Sequence, residues 1–123
     1  MRRAVTVTNL TRGRRVAGQV WVADRWWLRL RGLLGRSPLR EDEGLMLEPC
    51  KAVHMMGMRY PIDVVFIDRQ GGVVATYHGL QPGSRSHWHQ QAAVALELRA
   101  GTLQATDTQM GDALRWSPAS EAA

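Results

Sequence analysis

Apolar and polar positions alternate with a period of two along much of this chain, the pattern of half-buried β-strands. Ala4-Val5-Thr6-Val7-Thr8 opens the pattern. Asn9 to Arg14, with Gly13, makes a turn, and Val16 to Val22 resumes the alternation with Val16, Gly18, Val20 and Val22 on one face. The pair reads as a hairpin. Leu45-Met46-Leu47, Ile62 to Ile67, Val73 to His78, Ala93 to Leu98 and Ala113 to Trp116 add further short strands, and Cys50 to Met58 also reads as extended, giving about eight. Ile62 to Ile67 is the most apolar run and holds the one Phe. Its β-branched residues favour a strand, and Pro61, which cannot donate to a ladder, fits the strand entrance. The two-glycine stretch Asp68 to Gly72 then turns the chain into Val73, making a central hairpin with Asp68 capping its loop.

The period changes once with force. Trp26, Trp27, Leu30, Leu33 and Leu34 recur at helical spacing, while Arg25, Arg29 and Arg36 are polar. Asp24 offers a cap, and Gly35 and Pro38 a stop. This predicts a helix over about residues 25–34 whose two tryptophans cover a small sheet. Thr102 to Met110 predicts a second, short helix. The expectation is a mainly β protein: a compact antiparallel β sandwich or barrel with one packed α-helix, residues 1–116 forming a single domain and 117–123 a flexible tail.

Composition narrows the function classes. The chain of 123 residues is 45% apolar and 22% charged, which suits a globular domain and argues against disorder. Its net charge of +5 comes from fifteen arginines and one lysine, Lys51. Nucleic-acid binding asks for a clustered basic face. Only Arg25, Arg29, Arg31 and Arg36 approach one, so nucleic acid is not the expected partner. A lone cysteine, Cys50, excludes an internal disulfide. No run approaches the ~18 apolar residues of a membrane span, and the alternating Ala4 to Leu10 lacks the apolar core of a secretory signal. A cytoplasmic location is the expectation. No phosphate-binding glycine loop and no dinucleotide fingerprint occurs, so no cofactor is expected.

Arg31-Gly32-Leu33-Leu34-Gly35-Arg36, Glu43-Gly44-Leu45-Met46, Pro61-Ile62-Asp63-Val64-Val65-Phe66-Ile67-Asp68, Leu96-Glu97-Leu98-Arg99-Ala100-Gly101 and Gly111-Asp112 follow one another at a telling spacing. In these pieces, from about Ala23 to Trp116, the chain resembles the bacterial and archaeal "domain of unknown function 192" family. The resemblance implies a compact β-rich fold with one helix packed on it, and no particular reaction. Many members carry a Phe-Trp-Met-Lys-Asn-Thr-like run where this chain has Val53-His54-Met55-Met56-Gly57-Met58. Cys50, His54 and Met58 look similar instead to a subgroup with a cysteine, a histidine and a later methionine. Many relatives also carry an export signal, which this chain does not show.

The candidate site follows from the residues beside the central strand. In a regular strand Cys50, Ala52, His54, Met56 and Met58 would share one face. Thiolate, imidazole and thioether are Cu(I) ligands; in a regular strand His54 and Met58 would stand ~13 Å apart, too far to share an ion, while two neighbours such as His54 and Met56 could share one and a bend at Gly57 could bring in a third ligand. Cys50 and His54 could instead form a nucleophile and base oriented by Asp63, although no oxyanion hole accompanies them. Asp63 lies in an apolar strand and needs a partner, either an arginine such as Arg59 or Arg31 or hydrogen bonds to the turn around Met58. Read functionally, it anchors the floor of a cleft with His54 beside it. Glu97 raises the same question, because Ala93 and Ala95 share its face. His87-Trp88-His89 has a zinc-like spacing but lacks further ligands, and Trp88 suggests a surface contact. The leading reading is a small non-catalytic module that binds a small ligand or a protein partner in a cleft near Cys50, His54, Met58, Tyr60 and Asp63. The alternative is a small enzyme or metal-binding protein that uses Cys50, His54 and Asp63.

Overall fold

The computed structural model describes residues 3–24 and 38–119. Seven strands form one sheet: β1 (Ala4–Asn9), β2 (Arg14–Ala23), β3 (Glu43–Leu47), β4 (Ile62–Ile67), β5 (Val73–Leu80), β6 (Val94–Arg99) and β7 (Leu114–Pro118). Their order is β5-β4-β6-β3-β2-β1-β7. All neighbours run antiparallel except β2 and β3. A parallel pair cannot be closed by a tight turn, which accounts for the long connection between Ala23 and Glu43. The helix predicted over residues 25–34 falls in that connection, outside the described residues. One short helix, α1 (Thr102–Thr106), follows β6. It is shorter than the sequence predicts, because Asp107 takes a left-handed conformation (φ 54°) and ends it.

The sheet rolls until its two edges meet. Gly72 bridges Ala113, the Leu114 N–H donates to the Gly71 carbonyl at 2.8 Å, and the Val73 N–H donates to that of Asp112 at 2.9 Å. Gly71 is required at this seam: its φ is +89°, and a side chain there would strike the Leu114 carbonyl. The result is a curled, barrel-like sheet, the mainly β class that the alternating pattern predicts. Strand β7 runs to Pro118, and the Ala119 N–H donates to the Ala4 carbonyl, so the strand reaches past Trp116.

Both faces of the sheet centre are buried, which is why β4 is apolar at nearly every position rather than alternating. One face carries Val5, Val7, Val20, Val22, Met46, Val65, Ile67, Leu96 and Leu98. The other carries Leu45, Leu47, Ile62, Val64, Phe66 and Ala95. These are called below the first and second faces. On the second, pairing registers set out a cross-strand row, Trp21–Leu45–Glu97–Val64–Tyr77.

Far from the second face, Asp112 joins the β1–β2 turn to the lead-in of β7. It is buried and accepts hydrogen bonds from Arg12 Nε (3.0 Å), Arg12 Nη2 (through Oδ1, 3.1 Å), Asn9 Nδ2 (2.9 Å) and the Gln109 N–H (2.9 Å). Burial pushes its carboxyl pKa up, but the hydrogen bonds from Arg12, Asn9 and Gln109 outweigh burial and hold it below the usual value. This explains Gly111-Asp112 as a structural signature rather than a site.

Candidate functional site

The segment predicted as a strand, Cys50 to Met58, is not one. It is zipped instead to the long polar loop between β5 and β6. The Met55 N–H donates to the Ser84 carbonyl (2.8 Å), the Ser86 N–H to Val53 (3.0 Å) and the His89 N–H to Lys51 (2.8 Å). These bonds flank an isolated pairing of His54 with Arg85. Alternation across the short zipper turns Val53 and Met55 inward and leaves His54 and Met56 exposed. Gly57, at φ +79°, then reverses the chain, with the Met58 N–H donating to the Met55 carbonyl at 3.1 Å. The predicted common face of Cys50, His54 and Met58 is therefore broken by the turn. Cys50, Met58 and Tyr60 are half-buried against the second-face core, while His54 points to solvent beside Arg85. The Cys50 thiol donates to the Ala52 carbonyl at 3.1 Å.

Asp63 faces the other way. It lies between Ile62 and Val64, so its side chain points to the first face. It is 1% exposed. Oδ1 accepts from the Gly79 N–H at 2.8 Å, and Oδ2 accepts from the Gly101 N–H at 3.1 Å and the Leu103 N–H at 2.9 Å. The carboxylate thus clamps the end of β5 and the start of α1 onto β4. Among the described residues its partners are these amides, not Arg59. As the predicted floor of a cleft with His54 beside it, Asp63 is a correction: its acceptor sites face the amides of distant turns, and the sheet separates it from Cys50, Met58 and Tyr60.

Glu97 is the group the sequence reading raised and left outside its candidate site. It is 7% exposed on the second face, between Leu45 and Val64. Its carboxyl has no hydrogen bond or ion pair among the described residues. Burial in these apolar surroundings pushes its pKa up to about 7. A signal for it existed. A glutamate between Leu96 and Leu98 is buried if both faces of its strand are covered, and the run Val64 to Ile67 of β4, apolar on both faces, says that they are. Trp21, Cys50, Met58, Tyr60 and Tyr77, each half-buried, pack against the same face.

The two histidines of His87-Trp88-His89 part company. The His89 ring turns inward, 4.5 Å from that of Phe66, and its Nε2 meets the Tyr77 hydroxyl at 2.7 Å. Burial first, then the neighbouring His87, lowers its pKa. His87 stays exposed, and its N–H donates to the Tyr77 hydroxyl at 3.0 Å. Among the described residues no three His, Cys, Asp or Glu side chains are grouped to hold a metal ion. None of their helices is long and apolar enough to cross a membrane.

Known proteins repeat this fold. A protein of unknown function from Novosphingobium aromaticivorans DSM 12444 superimposes with a TM-score of 0.79 over 92% of this chain and 84% of its own, at 21% identity. A Sinorhizobium meliloti 1021 protein, provisionally assigned to transcription regulation, superimposes with a TM-score of 0.78 over 94% of each chain, at 25% identity. No curated protein matches the chain significantly. The model of domain of unknown function 192, described as "Uncharacterized ACR", matches residues 7–116. With that match spanning nearly all of the rolled sheet, the chain belongs to the domain of unknown function 192 family, whose biochemical role is uncharacterised.

Proposed function

We propose that this protein is a non-catalytic binding module that takes a small organic ligand on the second face of its sheet. Glu97 is the polar anchor, and Cys50, Met58 and Tyr60 stand at the rim. The observation that carries this reading is the Glu97 carboxyl, buried without a partner among the described residues. A polar group left so costs ~1–3 kcal/mol of stability, and such costs cluster where a ligand is to be met. With a pKa of about 7 the carboxyl can donate a hydrogen bond or meet a cation at neutral pH. The side chains around it are apolar and aromatic, as small-molecule sites are.

Two neighbouring readings lose support. His54 and Asp63 do not form a catalytic pair, since one is exposed and the other is taken up by three amides. The described arginines are partly spent within the protein: Arg3, Arg12 and Arg15 pair with Glu48, Asp112 and Asp42. That spread suits a binding module better than a nucleic-acid surface. A fold with no disulfide suits a cytoplasmic role.

The test is a thermal-shift screen of small organic amines and neutral amphiphiles on the wild type and on Glu97→Gln. A ligand of the folded state raises the melting temperature by mass action. Hits that shift the wild type and not Glu97→Gln support the reading. Hits unaffected by Glu97→Gln, or no hit together with native mass spectra free of any bound molecule, refute it.

A further inference from the structure

A second polar site lies at the far tip of the β4–β5 hairpin, against the lead-in to β6. It is an open cavity of about 560 Å³ whose walls are Lys51, Asp68, Arg69, Gln70, Gln90 and Gln91, with Ala92 beneath. The walls are held by backbone bonds and by two of their own side chains, Lys51 and Asp68. The Ala93 N–H donates to the Ile67 carbonyl (2.8 Å), the Cys50 N–H to Ala93 (3.1 Å) and the Ala92 N–H to His89 (3.0 Å). Asp68 Oδ1 is occupied by the N–H groups of Gln70 and Gly72. The Lys51 ammonium donates to the carbonyls of Gln90 (2.6 Å) and Ala92 (2.8 Å), which leaves one of its three protons for a ligand. Asp68 Oδ2, the Arg69 guanidinium and the Gln70 and Gln91 carboxamides take no hydrogen bond among the described residues. The cavity therefore offers both donors and acceptors on a mostly polar wall.

An aromatic ring stands beside it. Trp88 is 67% exposed, and its Nε1–H is fixed at 2.8 Å on Gln90 Oε1, so a wall residue sets the orientation of the indole. Vicinal hydroxyls both donate and accept, matching the mixed amide array, while the C–H face of a pyranose needs a flat apolar surface such as an indole. Two cations, Lys51 and Arg69, and one carboxylate, Asp68, line the cavity. We infer that this cavity and Trp88 form a carbohydrate-binding site with preference for an acidic, uronate-bearing sugar.

Trigalacturonate, maltotriose and inorganic phosphate serve as the probes, titrated into the whole chain and followed by NMR of the Trp88 indole and the glutamine side-chain amides. The expected result is saturable, millimolar or tighter binding of trigalacturonate with shifts at Trp88, Gln70, Gln90 and Gln91, and weaker binding of maltotriose. Trp88→Ala, an exposed substitution that leaves the fold intact, weakens both sugars about tenfold. Arg69→Gln abolishes the preference for the acidic sugar. No shift at millimolar sugar, phosphate competing as well as trigalacturonate, or affinity unchanged in Trp88→Ala would each overturn the proposal.

Discussion

Asp63 and Glu97 stand on adjacent strands, one beside Leu98 and the other beside Val64, and face opposite sides of one sheet. Both are buried carboxyls within apolar strands. On the first face Asp63 meets three backbone amides, while on the second Glu97 meets nothing among the described residues. Burial alone therefore says little about what a carboxylate does, and the donors aimed at it say more. Asp63 is a joint of the fold, and Glu97 is a cost that the fold carries.

The sharpest way to break this contrast is Asp63→Ala. It orphans the N–H groups of Gly79, Gly101 and Leu103, of which that of Leu103 is deeply buried. Unsatisfied donors cost ~1–3 kcal/mol each, and water can reach those at the surface, so we expect a loss of about 3 kcal/mol or more. Urea unfolding measures it, with the midpoint falling at constant slope. Asp63→Asn keeps one acceptor oxygen and should lose less. A loss under ~1 kcal/mol for Asp63→Ala would remove the clamp from the account.

Glu97 predicts the opposite sign and a pH dependence. Its folded pKa, about 7, lies above its unfolded value near 4.5, so between those values the folded protein binds more protons than the unfolded chain. Stability is then greatest below pH 4.5, falls as pH rises towards 7 and levels above it. Burying the charged form costs up to ~3 kcal/mol by this linkage. The wild type minus Glu97→Gln difference in unfolding free energy, measured from about pH 5 to pH 8, cancels the other groups and isolates the slope. A flat difference means that the carboxyl is solvated or paired in solution. A bound cationic ligand would flatten it as well, by holding the carboxylate ionised, so the experiment belongs to the ligand-free protein.

How much of this was legible in the sequence follows from the range of each interaction. Strand β4 was read to the residue, because its signal is local: six successive residues suited to a strand between Pro61 and a glycine loop. The Asp68 cap was legible for the same reason, since its partners lie two and four residues away. The donors to Asp63 lie 16, 38 and 40 residues away, and no local pattern marks an amide in a distant turn as a partner. Cys50 to Met58 misled because alternation is necessary for a strand and not sufficient for one. Gly57 at positive φ and the pairing of His54 with Arg85 made a short zipper and a turn instead. Glu97 was half legible. Val94, Leu96 and Leu98 named one buried face of β6, whereas the second becomes visible only when β4, on one side, and β3, on the other, are placed beside it.

Tyr77 supplies the smallest effect and the control for the whole contrast. It ends the row that contains Glu97, so it tests polar groups on the same face. Unlike Glu97 it is satisfied. Its hydroxyl accepts from the His87 N–H and lies 2.7 Å from His89 Nε2, in a hydrogen bond whose direction follows the tautomer of that ring. Tyr77→Phe removes both bonds and keeps the ring packed against Phe66. We expect it to destabilise by ~1 kcal/mol, whereas Glu97→Leu, which also deletes a polar group from this face, should be neutral or stabilising at pH 8. The two signs are read from paired urea midpoints. If Tyr77→Phe were neutral, water would be standing in for the lost partners, and a face that water enters so readily could solvate Glu97 too. Its isolation, and with it the case for a ligand, would then fall. If the signs differ as expected, the second face tells a satisfied polar group from one that has no partner among the described residues.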